Sequence, residues 1–295
     1  MTEKTDTSTQ PSEGLVWLNG EFSDFASAKV SVEDRGFQFG DGVYEVVRVY
    51  DGCPFALEPH LARLRQSLNA IELELAVPDQ ELAAIATELI RRSGLKEAEL
   101  YIQITRGAAR RYHLFPVDVP PTIVMTIRQV RSIPEGLRER GVVVKTFPDE
   151  RWGRCDIKSI NLLPNVLAKQ RAYRAGAFEA LFVRDGVVIE GTSSNIFVFH
   201  HDQLATPPID PHMLTGVTRG LVLRIAREKG YRMVERPVTL AELQAATEAF
   251  LSSTVVELMP VVEVDGVRIG GGEPGPVFRD LYAAYREAIR AQLGR

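Results

Sequence analysis

Lys158 stands in the run RCDIKSINLLPN, between Ile157 and Ile160. An amine among apolar neighbours is more readily kept neutral, and a neutral amine attacks an aldehyde to form an imine. Glu190 follows 32 residues later, at the end of AFEALFVRDGVVIE and directly before Gly-Thr-Ser-Ser-Asn. A carboxylate at that place can hold a pyridine nitrogen protonated. An imine-forming lysine and a pyridine-binding carboxylate are what pyridoxal 5'-phosphate (PLP) requires of a protein. Taken singly, each residue also fits an ordinary solvated side chain at a strand end.

Four further groups have the types that a phosphate or a substrate carboxylate needs. The GTSSN turn after Glu190 offers hydroxyls and backbone N–H groups. Leu214-Thr215-Gly216-Val217-Thr218-Arg219 opens a helix with small and hydroxyl residues. Free N–H groups and the helix dipole bind anions there, unless a threonine simply caps the helix. Ser252-Ser253-Thr254 closes a strand and can add hydroxyls to the same phosphate. In the loop from Arg106 to His113, an arginine and a histidine two residues apart can grip a carboxylate, or lie solvated.

The elements that must position these groups follow from periodicity. Residues 15–31 read as a hairpin. Gly36, Gly40 and Gly42 mark a loop, and VYEVVRVY is an alternating strand. Its Val43, Glu45, Val47 and Val49 face one side, and Tyr44 begins it where a cleft can lie, although a tyrosine there serves packing as readily. Leu61, Leu64, Leu68 and Ile71 form a helical stripe over 58–71, on which His60 and Arg63 read as a solvated face. A second helix covers 79–93, strands cover 99–107 and 121–130, and RSIPEG is a linker.

Beyond that linker, 141–149 is a strand and 161–176 a helix. A hairpin turns at Asp185-Gly186, two more strands follow, and 215–230 is a helix. LAELQAATEAF reads as helical, 251–269 as two strand runs, and 277–293 as the last helix. No βαβ alternation and no GxGxxG after a strand is apparent, which argues against a doubly wound nucleotide-binding fold. The expected class is α+β with two domains. A polar tail over 1–13 is expected to be disordered. A smaller N-terminal α/β domain would span 14–133, and a larger C-terminal domain with a mixed or antiparallel sheet or barrel would span 134–295.

The chain has 295 residues, a net charge of −4 and only 7 lysines against 28 arginines, so each lysine is a scarce choice. That balance leaves no electrostatic footprint for nucleic acid. Cys53 and Cys155 are too few for a disulfide framework, and no spacing suggests a metal site. No apolar run approaches the ~20 residues of a membrane helix. A soluble cytoplasmic protein with no membrane partner is expected.

In one order, the runs EDRGFQFGDGVYEVV, RLRQSL, YIQITRG, RRYHLFP, RWGRCDIKSINLL, VLAKQ, IEGTSSNIF and LTGVTRGLV span almost everything from Trp17 to the last helix. Through them the chain resembles the fold-type IV PLP enzymes, and within that group the D-amino acid aminotransferases. The resemblance implies that Lys158 carries the internal aldimine and shuttles the proton. It implies that Glu190 pairs with the pyridine nitrogen, and that Arg63, Val217, Thr218 and Thr254 hold the phosphate. Leu214 would lie beneath the ring.

By the same resemblance, Tyr44, Arg111 and His113 would form the substrate carboxylate trap, the last two reaching in from the partner of a homodimer with shared active sites. Arg110 is adjacent and could substitute for Arg111, though the two-residue step to His113 favours Arg111. The implied reaction converts D-alanine and 2-oxoglutarate to pyruvate and D-glutamate. Branched-chain and (R)-amine transaminases and aminodeoxychorismate lyases are the alternatives of the same fold.

Overall fold

The computed structural model describes residues 14–294; the tail expected over 1–13 lies outside the described residues. The first sheet is antiparallel and holds β1 (Gly14–Leu18), β2 (Glu21–Ser23), β3 (Gly42–Tyr50), β4 (Cys53–Pro54), β5 (Ala98–Thr105) and β6 (Thr122–Gln129). Their order is β2-β1-β6-β5-β3-β4. Helices α2 (Leu57–Ala70) and α3 (Asp79–Ser93) cover one face. The β3 alternation works as read: Val43, Glu45, Val47 and Val49 are all buried on the covered face. Leu61, Leu64 and Leu68 of α2 pack in the same core, each contributing roughly 1.5–3 kcal/mol through burial.

One segment read as loop is helical. Arg35–Phe39 forms α1, with Asp34 Oδ1 accepting from Gly36 N at 2.8 Å as its N-cap. Gly40 ends it at φ 68°, in the left-handed region where a glycine carries no side-chain penalty. A Cβ on Gly40 would stand 2.3 Å from Asn161 Oδ1, and its carbonyl accepts from Asn161 Nδ2 at 3.0 Å.

The second half begins with α4 (Leu137–Arg140). Its sheet is mixed: β7 (Val142–Pro148), β8 (Glu179–Arg184), β9 (Val187–Gly191), β10 (Asn195–His200), β11 (Gln203–Thr206), β12 (Arg232–Glu235), β13 (Val238–Thr239), β14 (Glu248–Ser253), β15 (Glu257–Val264) and β16 (Val267–Arg268). The order is β12-β11-β10-β14-β15-β7-β8-β9-β13, with β16 on β15. The β8–β9 hairpin turns through Asp185 and Gly186, at φ 50° and 76°, as a two-residue turn requires. The fold is α+β with a smaller antiparallel sheet and a larger mixed one. LAELQAATEAF is only partly helical: α7 (Leu240–Gln244) stops early, and Glu248–Ser253 is a strand between β10 and β15.

Two strand–helix–strand units are present where none was apparent in the sequence. β7 and β8 are parallel across α5 (Leu163–Arg174), and β11 and β12 are parallel across α6 (Val217–Glu228). A parallel pair needs a long crossover, and these two supply the chain on which Lys158 and Leu214–Thr218 sit. Helix α8 (Pro276–Gln292) packs with α6 against Phe197 and Phe250 of the sheet. Among the described residues no helix is long and apolar enough to cross a membrane.

Candidate active site

Lys158 lies in the irregular stretch between β7 and α5, where main-chain bonds to the first sheet fix it. Its N–H donates to Ser67 Oγ at 3.1 Å, and its carbonyl accepts from Tyr44 N at 2.9 Å. Ile160 N donates to Gly42 O at 3.1 Å, and Ser159 bridges Val43. The chain is thus held on both sides of the lysine against the start of β3. The side chain is half-buried, and its Nζ lies 4.4 Å from the centre of the Tyr44 ring.

Glu190 is next to last in β9 and is 5% exposed. Its Oε1 accepts from Arg151 Nη1 at 2.5 Å, Oε2 accepts from Asn195 Nδ2 at 3.2 Å, and the Leu214 N–H points at both oxygens. Arg151 is anchored in turn by Asp149, by the His212 carbonyl and against the Phe182 ring. Arg151 had no assigned role in the sequence, yet it is the cation that confronts the buried carboxylate.

Burial pushes Glu190 from 4.5 up to about 7, while Arg151 and the Leu214 N–H favour the ionised form and restrain the rise. A carboxyl raised in the folded state stabilises most below its unfolded value and loses that contribution as pH climbs through its folded value. Cofactor-free protein is therefore expected to lose roughly 3 kcal/mol relative to Glu190→Gln between about pH 4.5 and pH 7. Urea midpoints for the two proteins across that range check this; curves that stay parallel would sink it.

Arg63 and His60 are buried rather than solvated, so the reading of a solvated helix face is wrong for both. The reason lies on β3. Glu45, 0% exposed, accepts from Arg63 Nε at 2.7 Å and Nη2 at 2.8 Å, and meets His60 Nδ1 at 2.8 Å. Burial pushes Glu45 up, but the Arg63 guanidinium and the His60 contact overcome it and hold the carboxyl at about 2. Burial lowers His60, which favours the neutral ring with Nδ1–H donated to the carboxylate. Arg63 Nη1 donates to Thr215 O at 2.8 Å, linking α2 to the turn before α6.

At that turn, Gly216 is the N-cap of α6 and no side chain caps the helix. The first N–H groups are therefore left to an anion, with the dipole favouring negative charge. Ser252 Oγ, on the neighbouring β14, is buried with no hydrogen-bond partner among the described residues. Lys158, Glu190, Arg63, Leu214, Val217, Thr218, Thr254 and Tyr44 all line one cavity of about 490 Å³, as does Ser252. An amine, a buried carboxylate and an uncapped helix end beside an arginine form a donor set that fits PLP.

Arg111 and His113 do not line that cavity. They lie exposed on the loop after β5, Arg111 over the Phe39 ring at 4.7 Å and His113 at 5.5 Å from it. The hydroxyls of the GTSSN turn are also committed elsewhere. Thr192 Oγ1 donates to the buried Glu179 at 2.6 Å, and the Ser193 and Ser194 hydroxyls lie 3.3 Å from its other oxygen.

Comparison with known proteins shows the family and the fold. Residues 42–264 match the model of the family described as amino-transferase class IV. A D-alanine aminotransferase of Bacillus licheniformis is 41% identical over 280 residues, covering 95% of this chain and 99% of the relative. One of Staphylococcus haemolyticus is 39% identical over 277 residues, covering 94% and 98%. Among solved structures, a T.th. branched-chain amino acid aminotransferase with pyridoxamine 5'-phosphate superposes with TM-score 0.87 at 29% identity over 95% of each chain. The branched-chain amino acid aminotransferase from Escherichia coli does so with TM-score 0.84 at 26% identity, covering 92% and 93%.

Proposed function

The chain belongs to the class IV aminotransferases, and we propose that it transfers the amino group of D-alanine to 2-oxoglutarate, giving pyruvate and D-glutamate. The observation that carries the reading is the meeting of Lys158, the Glu190–Arg151 pair and the Arg63–α6 anion end in one cavity. The D-alanine assignment is supported by relatives of that activity near 40% identity along nearly the whole chain.

PLP, when bound, supplies an electron sink for the pair left behind when the substrate loses its Cα proton. In this reading Lys158 Nζ takes that proton from Cα and would deliver it to the cofactor's C4′, held in reach by the main-chain bonds to β3. Glu190 holds the pyridine nitrogen protonated. Arg63, the N–H groups at Val217 and Thr218, and the Thr254 hydroxyl would hold the phosphate, and Leu214 would supply apolar packing for the ring. Tyr44, with Arg111 and His113 of a second copy, grips the substrate carboxylate.

That last step makes the protein a homodimer in the proposal, because Arg111 and His113 lie outside their own chain's cavity. Exposed Tyr112, Leu114, Phe115 and Val117 on the same loop are apolar surface that such a partner would cover. The two sheets are taken as the two domains, 14–133 and 134–295, and the setting as the cytoplasm.

The branched-chain reading is the second one, favoured by the structural likeness to branched-chain enzymes. Incubation with 2-oxoglutarate and either D-alanine or L-leucine, followed by chiral analysis of the glutamate formed, separates the two. D-glutamate from D-alanine is expected to accumulate at least about tenfold faster. Faster turnover of L-leucine, with L-glutamate as product, would overturn the assignment.

A further inference from the structure

The stretch EDRGFQFGDG precedes Tyr44 and contributes nothing to the lining of the cavity. It nevertheless holds a buried charge cluster. Arg35, 4% exposed, donates from Nε to Asp41 Oδ2 at 2.8 Å. Arg106 donates from its own Nε to the same carboxylate, at 2.9 and 3.1 Å from its two oxygens. One aspartate thus serves two buried guanidiniums and balances only one of their charges, and their remaining N–H groups must find acceptors. Arg106 uses the carbonyls of Ile71 and Glu72 at the end of α2. Arg35 uses the loop after β5: its Nη1 donates to Tyr112 O at 2.6 Å and faces Leu114 O at 3.4 Å.

Those two carbonyls flank His113. The same loop is tied at its base, where Arg35 N donates to Gly107 O at 2.9 Å and Ala109 N to Glu33 O at 3.1 Å. At the other end of α1, the Phe39 ring has the Arg111 guanidinium 4.7 Å from its centre and His113 at 5.5 Å, with Arg35 at 4.8 Å. A five-residue helix therefore touches both residues of the R-x-H pair, through a clamp on the main chain and through a shared ring.

We propose that Arg35 and Phe39 are positioning residues for the substrate-carboxylate grip, Arg35 fixing the main chain on both sides of His113 and Phe39 forming the shelf for Arg111 and His113. The inference rests on the reading that Arg111 and His113 hold that carboxylate. Since the loop serves a second copy in that reading, α1 of one subunit sets substrate affinity in its neighbour's cavity. Arg35 reaches two separate targets, a carboxylate and a backbone carbonyl, by a planar fork that a lysine ammonium cannot reproduce.

The test is a double-mutant comparison on the PLP-loaded enzyme, reading KM and kcat for D-alanine together with the cofactor absorbance. Arg35→Ala and Phe39→Leu are expected to raise KM, roughly tenfold or more for the first, with kcat and the cofactor band little changed. In a background carrying Arg111→Ala and His113→Ala, neither substitution should raise KM further, because the residues they position are gone. A general loss of structure would instead lower kcat, bleach the cofactor band and add to the effect in that background, and this result overturns the proposal. Should Arg35→Ala fail to fold, Phe39→Leu carries the same comparison from a half-exposed site. Unchanged KM in both variants, with KM raised by the Arg111→Ala/His113→Ala pair, overturns the positioning role alone. Unchanged KM in that pair overturns the carboxylate reading and the positioning role with it.

Discussion

Lys158→Ala is expected to abolish turnover, with a loss of about 10⁴-fold or more, since it removes both the imine-forming amine and the proton carrier at Cα. The cavity contains a second lysine, Lys169, but its amine is held by Glu179 Oε1 at 3.0 Å and by the Phe178 carbonyl at 2.6 Å. Freeing it would strand the buried Glu179, so Lys169 is no ready substitute. The anion end, with Arg63 and the uncapped α6, is untouched by the change. PLP is therefore expected to bind reversibly, with the absorbance of a free aldehyde that dialysis removes. Full activity in Lys158→Ala, or a band that resists dialysis, would exclude Lys158 as the imine residue.

Glu45→Gln is expected to cost 3–5 kcal/mol at neutral pH (an order-of-magnitude range), because it leaves the buried Arg63 charge without its bidentate partner. The pH dependence has a definite sign. Glu45 is held at about 2 against its usual 4.5, so its contribution is full above pH 4.5 and drains away as pH falls toward 2. That contribution is worth about 3 kcal/mol. Urea unfolding of the two proteins should show a gap at pH 7 that narrows below pH 4.5. A gap independent of pH would mean that the carboxylate charge is not what stabilises the cluster. Because a bound phosphate would return a counter-charge to Arg63, saturating PLP is expected to restore part of the loss.

That Lys158, Glu190 and the Leu214–Thr218 opening of α6 belong together was legible in the sequence because they sit in short runs whose order is specific, and all three reach one cavity. What was not legible required knowledge of which elements touch. Arg151 lies seven residues before Lys158, and nothing local singles it out among 28 arginines. The signal that could have found it is indirect: a buried carboxylate at a strand end demands a cation. His60 and Arg63 were visible as neighbours one turn apart, but their burial depends on Glu45 coming from another element. Its place on the apolar side of β3, between Val43 and Val47, was the available hint.

Local propensity misled in two places. Glycines at 36, 40 and 42 suggested a loop where an aspartate cap and the contacts of Arg35 support one turn of helix. The alanine-rich AATEAF suggested helix, but Glu248–Ser253 pairs on both edges, and sheet pairing outweighs intrinsic preference. The strands and helices of the two crossovers were read, but the parallel pairing of β7 with β8 and of β11 with β12 rests on contacts far apart in the chain, which periodicity along one element does not report.

The bonds that fasten the Lys158 stretch to β3 also limit how the molecule can move. Many enzymes shut out water by swinging one domain onto another about a flexible joint. Here the stretch that carries Lys158 is itself bonded to Tyr44 N and Gly42 O of β3 and to Ser67 Oγ of α2. Parting the halves would break those bonds and shift Lys158, the proposed imine residue, from its place beside Tyr44. Closure across the mouth of the cavity, unlike a swing of one half onto the other, would leave those bonds intact.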